Sequence, residues 1–210
     1  MASLTGSAIA APCLFPGAAA PRGQADAAAL PRPVLEPFGA PEAHRNRHSW
    51  NEEIYLLGYT TDFTGTVTVA PPLNADEIAY LRKFADTRRM ARERGPYFVD
   101  GTGPLGQGND PDVVDGNRPP AGQPGLWCEW VPTDDGAGIE WSGTEKFYDA
   151  DAWMRYVIDH FLRPGAHAQG QPGFERFTFD HTVDGEIEAQ GEYPDDQWTL
   201  YVTNNTVTRT

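Results

Sequence analysis

The chain has 210 residues, which suits one domain, and 40% of them are hydrophobic, so a sizeable core is possible. The formal net charge of −14 argues against direct binding to nucleic acids or to an anionic membrane surface, because both require basic surfaces. Two cysteines, Cys13 and Cys128, are too few for a disulfide framework or a Cys-rich zinc site.

The N-terminal part of the chain is rich in Ala, Pro and Gly and has no hydrophobic periodicity. We therefore expect residues 1–56 to form a disordered extension and residues 57–210 to form a single α+β domain. In a GC-rich gene Glu52 and Glu53 would be encoded GAGGAG, which is typical of a ribosome-binding site, and Leu57 would be a TTG start codon. One hypothesis is that the extension comes from a mis-assigned upstream start; the alternative is a genuine disordered tail.

The apolar beginning of the chain does not fit a secretory signal. No Lys or Arg precedes it, and Pro12 and Pro16 interrupt it. No apolar run approaches the roughly 20 residues of a membrane span. We therefore expect a cytoplasmic protein with no membrane association.

The first predicted elements are a strand and a helix. Val67 and Val69 alternate with threonines, which is typical of a half-buried strand. Asn74, with Glu77 three positions later, predicts a capping box, and the apolar periodicity that follows predicts a helix that continues to Gly95.

The second half of this predicted helix is basic. Between Arg82 and Arg94 the chain has six basic and two acidic residues, a net charge of +4. Cations stabilise a helix C-terminus by themselves. The alternatives are a patch for an anionic partner or a contact with the long Gly-, Pro- and Asp-rich loop predicted at residues 95–125, since loops of that length are usually functional or disordered.

A hairpin, a second helix and two further strands complete the predicted fold. The segments around Asp135-Gly136 read as a β-hairpin. Apolar residues from Met154 to Leu162 recur at helical spacing, with Asp149 or Asp151 as the cap. The order β-α-β-β-α-β-β predicts an α+β two-layer sandwich, with two helices on one face of an antiparallel sheet, ferredoxin-like or similar.

Residues with catalytic or metal-binding chemistry are sparse. Cys128 lies in the middle of a predicted strand, which favours a buried, unreactive thiol. The histidines lack metal-binding spacing, and Asp110, Asp112 and Asp115 do not match the EF-hand pattern. We therefore assign no catalytic residue, no metal site and no cofactor, and a non-enzymatic protein is favoured.

The aromatic residues of the hairpin region divide into two groups. One group is expected to join the hairpin to the second helix as core: Trp130, Trp141 and Trp153. The other forms a candidate ligand pocket, with two charged residues at its mouth and the long loop as a lid: Trp127, Tyr148, Tyr156, Glu145 and Lys146.

Several segments resemble an uncharacterised family of small acidic proteins from bacteriophages and high-GC bacteria. They are "GYTTDFTG", "TRRM", "VVDGNRPPAGQPGLWCEWVP", "IEWSGTEKFYDADAWMRYVIDHFLRP" and "DGEIEAQGE". The resemblance extends from residue 58 to the C-terminus, and members of the family begin near the GYTT segment. It implies a complete domain associated with mobile elements, and it implies no activity, cofactor or catalytic residue.

Three functions are open from the sequence. The favoured one is a small non-enzymatic binding or accessory domain of phage-like type that contacts a protein partner or a small ligand. The second is a nucleotide- or small-ligand-sequestering protein, in which a base stacks on Trp127 or Tyr148 and three basic residues contact phosphates: Arg88, Arg89 and Lys146. The third is an acidic decoy for a nucleic-acid-binding protein.

Overall fold

The computed structural model describes residues 58–210, so the predicted extension at residues 1–56 lies outside the described residues. Within the described part, the helices are α1 (Ala75–Asp86) and α2 (Ala150–Val157). The strands are β1 (Thr61–Thr64), β2 (Thr66–Ala70), β3 (Ala91–Arg92), β4 (Val113–Asp115), β5 (Trp130–Pro132), β6 (Gly138–Trp141), β7 (Thr182–Gly191), β8 (Gln197–Thr203) and β9 (Thr206–Arg209).

The main sheet has the order β5-β6-β2-β7-β8-β9, with β1 also paired to β7, and every pairing is antiparallel. β1 and β2 are two halves of one strand, because Thr64 lies opposite Glu188 and Thr68 lies opposite Asp184 in the same register. The interruption is Gly65, which has φ of +118°. A Cβ at this position would lie 3.0 Å from a carbonyl oxygen of β7, so there is no room for a side chain.

One face of the sheet is buried and the other is open to solvent. Alternate residues along the strands are buried, among them Val67 and Val69 in β2 and Val183 and Ile187 in β7, while their neighbours are exposed. Both helices contribute to the same hydrophobic core. The predicted α+β class, with an antiparallel sheet and two helices, is confirmed.

The chain is richer in strand than the sequence indicates, and the predicted order of elements is not confirmed. The first and last predicted strands are each divided, and β3 and β4 form a separate two-stranded antiparallel sheet. The predicted loop at residues 95–125 contains β4 and a short 3₁₀ turn, Pro104–Gly106. No helix within residues 58–210 is both long enough and apolar enough to cross a bilayer.

Helix α1 begins as predicted and ends earlier than predicted. The Asn74 side chain accepts hydrogen bonds from the backbone of Asp76 and Glu77, and the Glu77 carboxylate accepts from the Asn74 backbone, so the capping box is present. The helix ends at Asp86 because Thr87 is extended, with its hydroxyl within hydrogen-bond distance of the carbonyls of Lys83 and Val99. The basic segment after Asp86 is therefore not a helix C-terminus.

The hairpin and the second helix are also found. Trp130 lies opposite Trp141 in the β5–β6 pair, and the Trp130 indole nitrogen donates to the Ala150 carbonyl at 2.8 Å, which joins the hairpin to α2. The predicted apolar face of α2 is buried and continues through a π-helical turn at Ile158–Leu162. Asp149 precedes the helix but its side chain makes no capping hydrogen bond.

Candidate ligand-binding cleft

A cleft with a volume of about 570 Å³ lies where four parts of the chain meet. The end of α1, the segment before β5, the segment between β6 and α2, and the long loop all line it. Such a volume lies within the range of about 300–1,000 Å³ that is typical of small-ligand sites.

The walls of the cleft are aromatic and apolar, and some of them are exposed. Tyr148 and Leu105 are each 54% exposed, and Trp127 is half-buried beside them. Exposed large apolar side chains that converge on one concavity are a common mark of a binding surface.

The floor of the cleft includes Trp153, a fully buried residue of α2 whose indole nitrogen has no hydrogen-bond partner. Gly125 also lines the cleft, and a Cβ at that position would lie 3.6 Å from this nitrogen. Buried indole N–H groups are normally satisfied, so this donor, which has almost no accessible surface, is an unsatisfied group at the floor of the cleft.

The charged residues of the cleft are mostly acidic. Asp86, Glu129 and Glu145 line it together with Lys146. Glu129 is the most buried of these, at 8% exposed, and its carboxylate accepts a hydrogen bond of 2.7 Å from the Ser142 hydroxyl. Burial raises the pKa of Glu129, and the nearby Asp86 raises it further, while the hydrogen bond from Ser142 opposes both.

Two lining residues have left-handed backbone conformations that are uncommon for residues other than glycine. Leu105 has φ of +51° and Lys146 has φ of +65°. Residues held in this region cost about 1 kcal/mol or more and concentrate at functional sites. In Leu105 the conformation accompanies an apolar side chain exposed at the rim of the cleft.

Three of the six predicted site residues come together in the cleft: Trp127, Lys146 and Tyr148. Leu105 brings the long loop to the same place. Sequence reasoning missed Asp86 and the floor at Trp153. Glu129 is two positions from Trp127 in the sequence, and this spacing was the available signal for that residue.

The other three predicted site residues lie elsewhere. Tyr156 is 5% exposed, its ring is stacked on His160 with centroids 3.8 Å apart, and it does not line the cleft. Arg88 lies over the long loop, where its guanidinium contacts the side-chain oxygens of Gln107 and Asn117.

Arg89 is an interior residue, 2% exposed, rather than a phosphate contact at the surface. Its guanidinium lies 4.1 Å from the centre of the Phe84 ring and donates to the carbonyls of Pro96 and Phe98 at 2.8 and 2.9 Å. These partners lie five to nine residues away along the chain, and they surround Arg89 because the chain leaves the helix after Asp86.

The acidic part of the long loop is bound to the basic segment that follows α1. Arg92 donates to Asp110 and Asp112 at 2.9 and 3.1 Å, and to the Gly106 carbonyl at 2.8 Å. This is the contact between basic segment and acidic loop that the sequence left as one alternative. Within residues 58–210 no three His, Cys, Asp or Glu side chains are arranged to hold a metal ion.

Fold and cleft together define an α+β protein with an aromatic, carboxylate-lined cleft at the junction of α1, the β5–β6 hairpin and α2. No protein-family model, curated protein or solved structure matches the chain.

Proposed function

We propose that the protein is a small binding or accessory domain, without catalytic activity of its own, that holds a ligand or a partner's side chain in this cleft. The observation that carries the proposal is the convergence of exposed Tyr148 and Leu105 above a floor with an unpartnered indole N–H on Trp153. An occupant would bury the exposed apolar surface.

The proposal includes an accessory role of the kind found on mobile elements. Its support is the resemblance of residues 58–210 to small acidic proteins of bacteriophages and high-GC bacteria. A small domain without its own chemistry would fit regulation of, or interference with, a host system.

The test is a ligand screen that compares the wild-type chain with Gly125→Ala. The new methyl group would lie at ordinary contact distance from Trp153, 3.6 Å from its indole nitrogen, so the fold should persist while the floor of the cleft is covered. Gly116→Ala is the matched control, because its Cβ would also meet an ordinary contact, 3.5 Å from the Met90 sulfur, away from the cleft lining.

We expect a compound from a mixed panel of cationic, neutral and anionic aromatic molecules to raise the thermal midpoint of the wild type and of Gly116→Ala by several degrees. Gly125→Ala should lose most of that shift, since ligand binding stabilises the folded state by mass action. If no compound shifts the wild type, or if both glycine variants respond alike, the cleft is not the binding site.

A nucleotide is a less favoured occupant. Lys146 could contact a phosphate, and Trp127 or Tyr148 could stack on a base. The cleft also contains the carboxylates of Asp86, Glu129 and Glu145, which repel phosphate groups. The same screen includes ATP, and a shift with ATP that is lost in Lys146→Met would favour the nucleotide.

A second candidate function is the acidic decoy, and the open face of the sheet favours it. Asp184, Glu186 and Glu188 alternate along β7 and are exposed, with Asp62 and Glu140 exposed on neighbouring strands. Side chains two residues apart along a strand are about 7 Å apart, so these carboxylates form a negative stripe on one face.

The decoy function predicts capture of purified basic DNA-binding proteins at low salt and release at about 0.5 M NaCl, where charges are screened within a few ångströms. The combined variant Asp184→Asn, Glu186→Gln and Glu188→Gln should lose the capture. Capture that persists in this variant, or that survives high salt, would exclude the stripe as the cause.

We also propose that the architecture is a ferredoxin-like two-layer sandwich with added strands and with both helices on one face. If β1 and β2 count as one strand and the small β3–β4 sheet is set aside, the elements up to β7 follow β-α-β-β-α-β. Their sheet order, β5-β6-β2-β7, makes the first and third strands central neighbours, which is the split βαβ pattern. In an NMR structure, contacts between Val67 and Ile139, which are paired across β2 and β6, would support it, and their absence would exclude it.

A further inference from the structure

We propose that the cleft binds an organic cation, an ammonium or guanidinium group attached to an apolar body, with Glu129 as its anionic partner and Trp127 and Tyr148 as its aromatic walls. The inference rests on the proposed binding function and adds the chemistry of the occupant. The cation could belong to a free small molecule or to a Lys or Arg side chain of a partner protein.

Glu129 is a buried carboxylate without a cation. Within residues 58–210, no Lys, Arg or His nitrogen lies within 4.0 Å of its carboxylate oxygens, although the side chain is 8% exposed. One hydroxyl, from Ser142, donates to it. A buried carboxylate is costly unless it is paired, so the site has a place for a positive charge.

Other strongly buried carboxylates in the described part of the chain have cationic partners. Glu77, which is fully buried, lies 3.2 Å from a ring nitrogen of His181. The Asp112 side chain is 10% exposed and lies 3.1 Å from the Arg92 guanidinium. Glu129 departs from this pattern, and it does so on the wall of a cleft.

The aromatic walls and the other charged residues of the cleft suit the same occupant. The faces of Trp and Tyr rings attract cations, and guanidinium and ammonium groups commonly lie against them. Asp86 and Glu145 add two further carboxylates against the single lysine, Lys146, so the lining has a net negative charge. An apolar body would cover Leu105 and Leu126, which also line the cleft.

The experiment compares three molecules that share one aromatic body and differ in charge: 2-phenylethylammonium, 2-phenylethanol and phenylacetate. Their affinities for the full chain are measured by isothermal titration at neutral pH. We expect the ammonium compound to bind at least about tenfold more tightly than the other two, because both lack a positive charge to pair with Glu129.

Glu129→Gln keeps an acceptor for Ser142 and removes the charge. We expect it to weaken binding of 2-phenylethylammonium by about tenfold or more. Glu93→Gln, which makes the same change at an exposed carboxylate outside the cleft lining, should change the affinity by less than about twofold, since an exposed charge is screened. If Glu129→Gln unfolds, Glu145→Gln at the exposed mouth provides the second variant, with a smaller loss expected.

The variant Lys146→Met provides an independent test of whether the occupant is a cation or an anion. Removal of a like charge from the cleft should strengthen binding of the ammonium compound by a small factor, about twofold. If a cation is not the occupant and Lys146 binds an anion, the same variant should instead abolish binding of phenylacetate and leave the ammonium compound unaffected.

A second set of titrations distinguishes the two sources of the cation. It compares agmatine, a free small molecule, with acetyl-Gly-Arg-Gly-amide, a capped peptide that presents an Arg side chain. Tighter binding of agmatine indicates a free small molecule, and tighter binding of the peptide indicates a partner's side chain. The inference is overturned if 2-phenylethanol or phenylacetate binds as tightly as the ammonium compound, or if Glu93→Gln weakens binding as much as Glu129→Gln does. If 2-phenylethanol or phenylacetate binds as tightly as the ammonium compound, a loss of that binding in Gly125→Ala would still support the cleft as a binding site. If none of the molecules binds, the proposed function fails as well.

Discussion

Glu77 and His181 form a buried pair, with a carboxylate oxygen of Glu77 3.2 Å from Nε2 of His181 and both side chains at most 1% exposed. Nδ1 of His181 lies 2.7 Å from the Pro71 carbonyl oxygen, which can only accept, so this nitrogen carries a proton. Glu77 also accepts from the backbone N–H groups of Asn74 and Thr178. The pair thus connects the first turn of α1 to the segment that enters β7.

We predict that Glu77→Gln destabilises the fold by about 3 kcal/mol, because it leaves a buried His181 without its counter-charge. Chemical denaturation at pH 6 measures the free energy of unfolding. Asp76→Asn is the control: Asp76 pairs with Arg176 at the surface, where both side chains are more than half exposed, and its loss should cost less than about 1 kcal/mol. Equal losses in the two variants would contradict the assigned role of the buried pair.

The same pair predicts a pH dependence of stability. Burial alone would lower the pKa of His181, but its contacts with Glu77 and with the Pro71 carbonyl outweigh burial and raise the pKa. Its contribution is therefore fully present below its unfolded pKa of about 6.5 and is lost as the pH rises through the higher folded value. Burial alone would raise the pKa of Glu77, but hydrogen bonds from His181 and from two backbone N–H groups outweigh burial and lower the pKa. The stability that ionised Glu77 contributes is therefore lost as the pH falls through its folded pKa.

A pH series of unfolding free energies for the wild type and His181→Gln measures this effect. The difference between the two proteins should be largest at mildly acidic pH, between the two folded pKa values, and should shrink at alkaline pH. Asp180, whose carboxylate lies 4.0 Å from Nδ1 of His181 and is 59% exposed, should make a minor contribution. A difference that stays constant from pH 5 to about pH 9 would show that the pKa of His181 is the same in the folded and the unfolded chain, which would contradict the assigned pair.

Arg89 provides a prediction for the segment that sequence reasoning assigned to α1. Its guanidinium donates to two backbone carbonyls, Pro96 and Phe98, and burial lowers its pKa. Arg89→Lys should destabilise the fold by about 3 kcal/mol, because an ammonium group cannot reproduce the planar contacts with both carbonyls and with the Phe84 ring. Arg118→Lys, at a side chain that is 83% exposed, should change stability by less than about 0.5 kcal/mol in the same denaturation experiment.

The elements that the sequence predicted well are those whose signals are local. The capping box at Asn74 and Glu77 defines the start of α1 within four residues, and the apolar stripe of α2 lies within a single helix. The C-terminus of α1 could not be predicted in this way. The residues after Asp86 have good helical propensity, but Arg92 is held by Asp110 and Asp112, carboxylates far along the chain.

The cleft could be predicted only in part, because some of its features have local sequence signals and others depend on contacts between distant parts of the chain. Trp127 and Glu129 lie in the segment before β5, and the segment after β6 supplies Lys146 and Tyr148. Sequence alone could not show that Glu129 is buried without a cation, because this depends on which parts of the chain cover it. It also could not show that the Trp153 indole nitrogen is left without a partner, since helical periodicity marks Trp153 as core and says nothing of its hydrogen bonds.

The burial of Cys128 predicts that its thiol is unreactive in the native protein. The thiol is fully buried, and burial raises its pKa to about 12. The thiolate is the reactive form, so we expect iodoacetamide to leave Cys128 unmodified at neutral pH in the native protein and to modify it in denaturant. Peptide mapping separates it from Cys13. Rapid native labelling of Cys128 would show that this part of the core opens.

Gly136 in the β5–β6 turn and Gly143 in the segment after β6 offer a matched pair of glycine substitutions. Gly136 has φ of +70°, and a Cβ there would lie 2.5 Å from the Leu73 carbonyl oxygen, which leads into α1. Gly143 has φ of +83°, and a Cβ there would meet no atom within 4 Å. Both alanine variants carry the left-handed backbone strain of about 1–2 kcal/mol, but only Gly136→Ala adds a backbone clash.

We therefore expect Gly136→Ala to lose about 3 kcal/mol of unfolding free energy and Gly143→Ala about 1 kcal/mol. The difference between them measures the contact of the hairpin turn with the start of α1, where the Leu73 backbone N–H donates to the Gly136 carbonyl at 2.9 Å. Chemical denaturation of both variants under one set of conditions gives this difference directly. If the two losses are equal, the turn does not pack against Leu73, and the end of α1 that borders the cleft is positioned by its contacts with β5 instead.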